Sequence, residues 1–116
     1  MNKYHARKTF SELCQRQFDS KAECIRAEEL TLLEKAGEVA QLEYQPKFVL
    51  CEKPKITYTA DFRYLEDIRH IDTILYDGTV VVEDCKPGVL TRDTRTKLAW
   101  LKEKFGIDVL LTGKRN

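Results

Sequence analysis

Nowhere does the sequence hold an apolar run near the ~18 residues that a membrane span requires. Its start, MNKYHARKTF, carries no apolar stretch of the kind found in a secretory signal. Together these absences lead us to expect a soluble, cytoplasmic protein with no membrane partner. Histidine is scarce, with only His5 and His70. The four cysteines, Cys14, Cys24, Cys51 and Cys85, form no CxxC pair and no Cys/His cluster. A zinc site is therefore not expected, and reduced, partly buried thiols are. Net charge is nearly absent at +1, so bulk charge announces no nucleic-acid partner. No internal repeat, low-complexity tract or interdomain linker interrupts the chain.

What is present suits a single compact fold. The chain has 116 residues, 42% hydrophobic and 34% charged, enough for one modest core that self-association would reinforce. Charge is uneven along it. NKYHARK carries Lys3, Arg7 and Lys8 without an acid, and residues 92–104 carry Arg92, Arg95, Lys97, Lys102 and Lys104 against Asp93 and Glu103. Such patches suit phosphate contacts, and equally suit a solvated tail and a solvated helix face. Residues 1–19 read as a basic N-terminal arm, partly extended, and residues 20–116 as one domain.

Periodicity places the elements. Ser20 and Glu23 have capping-box spacing, Ala22, Ile25, Leu32, Leu33 and Ala36 recur at helical spacing, and Gly37 suits a C-cap. A helix over about 20–36 is predicted. KFVLCE after Pro46 reads as a short strand, and KITYTADFRYL as a longer one with Tyr58, Ala60, Phe62 and Tyr64 on one side. Asp77-Gly78 between apolar runs signals a hairpin, and Pro87-Gly88 ends the strand before it. A second helix starts near Thr91 or Asp93, buries Leu98, Leu101 and Phe105, and stops at Gly106. IDVLLT is the final strand, and the strand–helix–strand order predicts a crossover to a parallel partner. The expected class is α/β, a mixed central sheet flanked by helices in the order α-β-β-β-α-β.

The stretch VVVEDCKPG, Val80–Gly88, carries the chemistry. Residues two apart on a strand share a face, so Asp84 and Lys86 project together and Glu83 and Cys85 project oppositely. If the ADF strand pairs alongside, Asp61 and Asp84 converge. Two neighbouring carboxylates repel, and a hard divalent cation, Mg²⁺ or Mn²⁺, relieves the conflict with waters completing its shell. The backbone carbonyl of Cys85 is a natural further ligand, and Lys86 is placed to handle an attacking water or developing phosphoryl charge. The plainer alternative is an exposed Asp84–Lys86 ion pair. Glu23 reads either as a helix cap or as a carboxylate reaching the cation. Glu83 reads as a solvated or sheet-pairing acid, or as the fallback ligand if the strand carries a bulge. Gln45 suits either a turn or a hydrogen bond to phosphate, and Lys97 either a DNA-backbone contact or a solvated position.

The segments KYHARKT, FDSKAE, QPKF, YTADFRY and VVVEDCKPG occur in the order found in a family of small phage-encoded proteins related to the PD-(D/E)XK nucleases, which this chain resembles over most of its length. The core is also similar to that of phage Holliday-junction resolvases. The resemblance implies a restriction-endonuclease-like core and metal-dependent hydrolysis of DNA phosphodiesters. It implies Asp61 and Asp84 as metal ligands, Lys86 as the catalytic lysine and Glu23 as the helix carboxylate. Two departures stand out: residues 65–76 lengthen the connection between the ADF and EDxK strands, and Pro87 follows the lysine where the family has glycine. The expected function is a nicking or junction-resolving endonuclease acting on duplex or branched DNA, in the host cytoplasm if phage-encoded. Cutting two strands would call for a homodimer. The alternative is a non-catalytic DNA-binding or assembly protein on a nuclease scaffold.

Overall fold

The computed structural model describes residues 8–66, 69–71, 74–76, 78–85 and 89–112, with backbone alone for 69–71 and 74–76. The chain divides into two compact units, residues 1–42 with 65–79 and residues 43–64 with 80–116. The class is mixed α/β, with a four-stranded sheet, three two-stranded ribbons and two helices among the described residues. No helix among those residues is long and apolar enough to cross a membrane.

In the first unit, β1 (Thr9–Ser11) and β2 (Arg16–Phe18) pair antiparallel, Thr9 opposite Phe18 and Ser11 opposite Arg16. Residues expected to be partly extended are thus a hairpin, turned by Gln15 at a left-handed φ of 56°. Helix α1 (Lys21–Lys35) follows. Its start is the predicted cap: the Ser20 hydroxyl accepts from the Glu23 N–H at 3.1 Å. Its end is closed by Gly37 at φ 80°, with Gly37 N–H bonded to the Glu34 carbonyl at 3.1 Å and Glu38 N–H to the Leu33 carbonyl at 2.9 Å.

The buried stripe of α1 differs from the expected one. Cys24, Ala27 and Leu30 are buried, whereas Ile25, Leu32 and Leu33 are exposed. The reason lies in the hairpin. Ser11 is fully buried, so its hydroxyl needs an acceptor, and it finds Glu28 at 2.6 Å. Cys14 adds its N–H to the Ser11 oxygen at 3.0 Å and its thiol to Thr31 at 3.3 Å. These bonds turn the Cys24–Ala27–Glu28–Thr31 face toward the hairpin. All four cysteines are free thiols, as expected. Burial, and then the Glu28 charge, push the Cys24 thiol above its ordinary range.

A second hairpin, β7 (Arg69–Ile71) with β8 (Ile74–Tyr76), occupies the lengthened connection. Its register pairs Arg69 with Tyr76 and Ile71 with Ile74. Gly78 uses a φ of 73°, leading from β8 to β9 (Thr79–Cys85). Asp77 itself lies outside the described residues.

The second unit is built on β4 (Lys47–Cys51) and β5 (Ile56–Thr59), an antiparallel ribbon carrying α2 (Arg92–Phe105). Helix α2 begins at Thr91, whose hydroxyl accepts from Thr94 N–H, and ends at Gly106, at φ 70°, as predicted. Phe48, Leu50, Tyr58, Ala60, Val82 and Leu101 form the core, with Leu98 and Trp100 packed against it. Phe105 is more exposed than expected at 46%, though its ring lies 6.1 Å from that of Phe48. After α2, β10 (Val109–Thr112) runs parallel to β9, Asp84 opposite Leu111 and Cys85 opposite Thr112. The crossover expectation therefore holds. The full sheet order is β10–β9–β6–β3, where β3 is Val39–Tyr44 and β6 is Phe62–Glu66.

The single strand predicted over KITYTADFRYL is two strands in different sheets. The alternation survives, since Tyr58, Ala60, Phe62 and Tyr64 are all buried. Its continuity is broken at Ala60–Asp61, opposite Gln45–Pro46: Gln45 N–H bonds to the Asp61 carbonyl at 2.9 Å and Ala60 N–H to the Pro46 carbonyl at 3.0 Å. Gln45 has φ 53°, and Pro46 has no N–H with which to continue a ladder. Both chain segments change direction at one corner, and Asp61 stands on it.

Candidate functional site

Just before its last residue β9 carries two buried acids, Glu83 at 0% and Asp84 at 1% exposure. Removing a carboxylate from water costs several kcal/mol unless partners replace the solvent. The partners differ on the two faces, as strand alternation requires. On one face the Tyr64 hydroxyl donates to Glu83 Oε1 at 2.7 Å and the Thr112 hydroxyl to Oε2 at 3.2 Å. The Cys85 thiol shares this face, 3.2 Å from Thr112 Oγ1. On the other face the Tyr58 hydroxyl donates to Asp84 Oδ2.

Asp61 is bound to the same strand through its backbone and its side chain. Its N–H donates to the Glu83 carbonyl at 3.1 Å, and its Oδ2 accepts from the Cys85 N–H at 2.7 Å. The corner explains this. Where the β6 backbone turns away, the aspartate side chain supplies the acceptor that the ladder would otherwise have provided. Asp61 is half-buried and Asp84 fully so, making Asp61 the more solvent-facing of the two.

The hydroxyl on Asp84 is itself perturbed. The Tyr58 phenol is held far above the ordinary tyrosine range, first by burial, then by its hydrogen bond to Asp84, then by the charges of Asp84 and Asp61. With Asp61 bonded to the residue after Asp84, both carboxylates lie beside the end of β9.

The family model for DUF1064, described as "Protein of unknown function (DUF1064)", matches residues 1–113. The chain belongs to the DUF1064 family. No curated protein and no solved structure matched it.

The remaining candidates of this DUF1064 chain are distributed as follows. Glu23 lies in the first turn of α1, in the first unit, with its N–H held by the Ser20 cap. Asp61, Asp84 and Cys85 lie in the second unit. Lys86, Lys3 and Arg7 fall outside the described residues. Lys8 is exposed, as are Arg92 and Arg95 in the first turn of α2. Lys97 is half-buried and pairs with Asp93 at 3.7 Å. Gln45 has an exposed side chain and a backbone bonded to Asp61. Glu83, expected to be solvated or sheet-pairing, is instead fully buried between two hydroxyls.

Among the described residues, no three or more His, Cys, Asp and Glu side chains gather to hold a metal by themselves. A pair of carboxylates nonetheless fits Mg²⁺, which commonly takes one or two protein carboxylates and keeps several waters. Each aspartate carries two oxygens with several lone-pair directions, so accepting a hydrogen bond is compatible with ligation. Sequence reasoning missed Tyr58, Tyr64 and Thr112 as partners of the acids. The available signal was that both tyrosines fall on the buried parity of their strands, where a phenol needs an acceptor.

Proposed function

We propose that this DUF1064 chain is a metal-dependent DNA endonuclease with a PD-(D/E)XK core, of the nicking or junction-resolving kind found among phage proteins. The observation that supports it most is that Asp61, distant in sequence, bonds to the N–H of Cys85, next along the chain from Asp84, which the Tyr58 hydroxyl holds. The order of the joined motifs, from FDSKAE through YTADF to VVVEDCK, supports it independently.

In this reading Asp61, Asp84 and the Cys85 carbonyl hold Mg²⁺ or Mn²⁺. The bound ion would acidify a water and offset charge at the scissile phosphate. Asp61 stays oriented through the Cys85 N–H, and Asp84 through Tyr58. Lys86 orients the attacking water or meets the charge developing on phosphorus. Lys3, Arg7, Lys8, Gln45, Arg92, Arg95 and Lys97 contact the DNA backbone, which positions the substrate without reading its sequence. One site cuts one strand, and paired cuts at a junction require a homodimer.

The test is incubation with supercoiled, linear and four-way-junction DNA in Mg²⁺, Mn²⁺ or EDTA. Cleavage that disappears in EDTA and in Asp84→Ala is the expected result. DNA binding without cleavage, indifferent to Asp84→Ala, would instead identify a binding or assembly protein on a nuclease scaffold.

A further inference from the structure

Resting on that reading, we propose that Tyr58 is a positioning residue: its hydroxyl selects the orientation in which the Asp84 carboxylate meets the cation, and so sets the cation concentration at which the site fills. A carboxylate turns easily about its last torsion, which has broad, shallow wells. At Asp84, 1% exposed, water cannot freely hold it, and the phenol does so instead. Tyr58 is itself well fixed. It lies opposite Phe48 in the β4–β5 register and belongs to the cluster of Phe48, Leu50, Ala60, Val82 and Leu101. Its ring is packed and 5% exposed, so the hydroxyl is delivered to one place.

The chemistry of the donor matters. A neutral hydroxyl can orient an anionic ligand without bringing a positive charge that would compete with the cation. A lysine or arginine in that role would occupy the carboxylate electrostatically as well as geometrically. The two aspartates are held by different means, Asp61 by a backbone N–H and Asp84 by a side chain. Only the second restraint can be removed by deleting one atom.

Tyr58→Phe deletes that oxygen and keeps the ring. The full chain and the variant are compared by calorimetric titration with Mn²⁺ and by DNA cleavage across a Mg²⁺ series. The half-saturating metal concentration should rise by about 10- to 100-fold, as for other groups that orient metal ligands. Cleavage at saturating metal should return close to that of the unaltered chain, a split that a merely structural role would not produce. An unchanged half-saturation, or a loss that no metal concentration restores, overturns the proposal. Should the variant fail to fold, the unaltered chain still decides. Mg²⁺ should perturb the near-ultraviolet tyrosine band with the midpoint seen by calorimetry, and a silent spectrum overturns the assignment. If the unaltered chain binds no cation, the nuclease reading falls together with this one. If it binds a cation in a manner sensitive to Asp84→Ala but not to Tyr58→Phe, only the role of Tyr58 falls.

Discussion

A phenol facing a buried carboxylate occurs twice in the second unit, Tyr58 on Asp84 and Tyr64 on Glu83. Hydrogen bonds to charged groups contribute about 1.5–3 kcal/mol each, and losing one leaves the acid stranded in a poor dielectric. The Tyr58 phenol also carries a pH signature. Burial, then Asp84 and Asp61, raise its proton affinity in the folded state, so the native chain keeps a proton that the unfolded chain releases above about pH 10. Its contribution is therefore complete below that pH and declines as pH rises further. Urea midpoints should fall as pH rises above about 10, and Tyr58→Phe should flatten that fall. Parallel declines in the two proteins would contradict the assignment. At this scale the aspartates were legible because strand parity separates Asp84 from Glu83. The tyrosines were not, because alternation tells which side chains are buried but not which acid each one meets.

Helix ends were legible, and so was the face of α2 through Leu98 and Leu101, but the face of α1 was not. Ser20, Gly37, Thr91 and Gly106 act locally, through their own hydroxyl or backbone freedom, and each stands at the terminus its chemistry suggests. The buried face of α1 depends instead on Ser11 and Cys14, which reach it from a hairpin far back in sequence. The break between β5 and β6 was likewise hidden, because its cause, Gln45–Pro46, lies on another pair of strands. The termini give an element-scale prediction. A Cβ at residue 37 would meet nothing within 4 Å, so Gly37→Ala tests the backbone alone. At φ 80° it should cost about 1 kcal/mol, read as a lower urea midpoint with an unchanged slope. No loss of stability would show that the α1 terminus does not need its left-handed residue.

At the scale of the whole molecule, the proposed cation ligands lie within one of the two units. The second holds Asp61, Asp84 and Cys85, while Glu23 belongs to the first. Membership of the DUF1064 family covers both, since the match runs over residues 1–113. A ligand that binds only the native state stabilises it by an amount that grows with the logarithm of its affinity. The most direct measurement is thermal unfolding with Mn²⁺ and with EDTA, for the unaltered chain, Asp61→Asn and Asp84→Asn. At about 100 times its dissociation constant, Mn²⁺ should add about 2.7 kcal/mol and raise the Tm of the unaltered chain by several degrees. Both variants should lose most of that rise. An equal rise in all three proteins, or none in the unaltered chain, would contradict a cation held between Asp61 and Asp84.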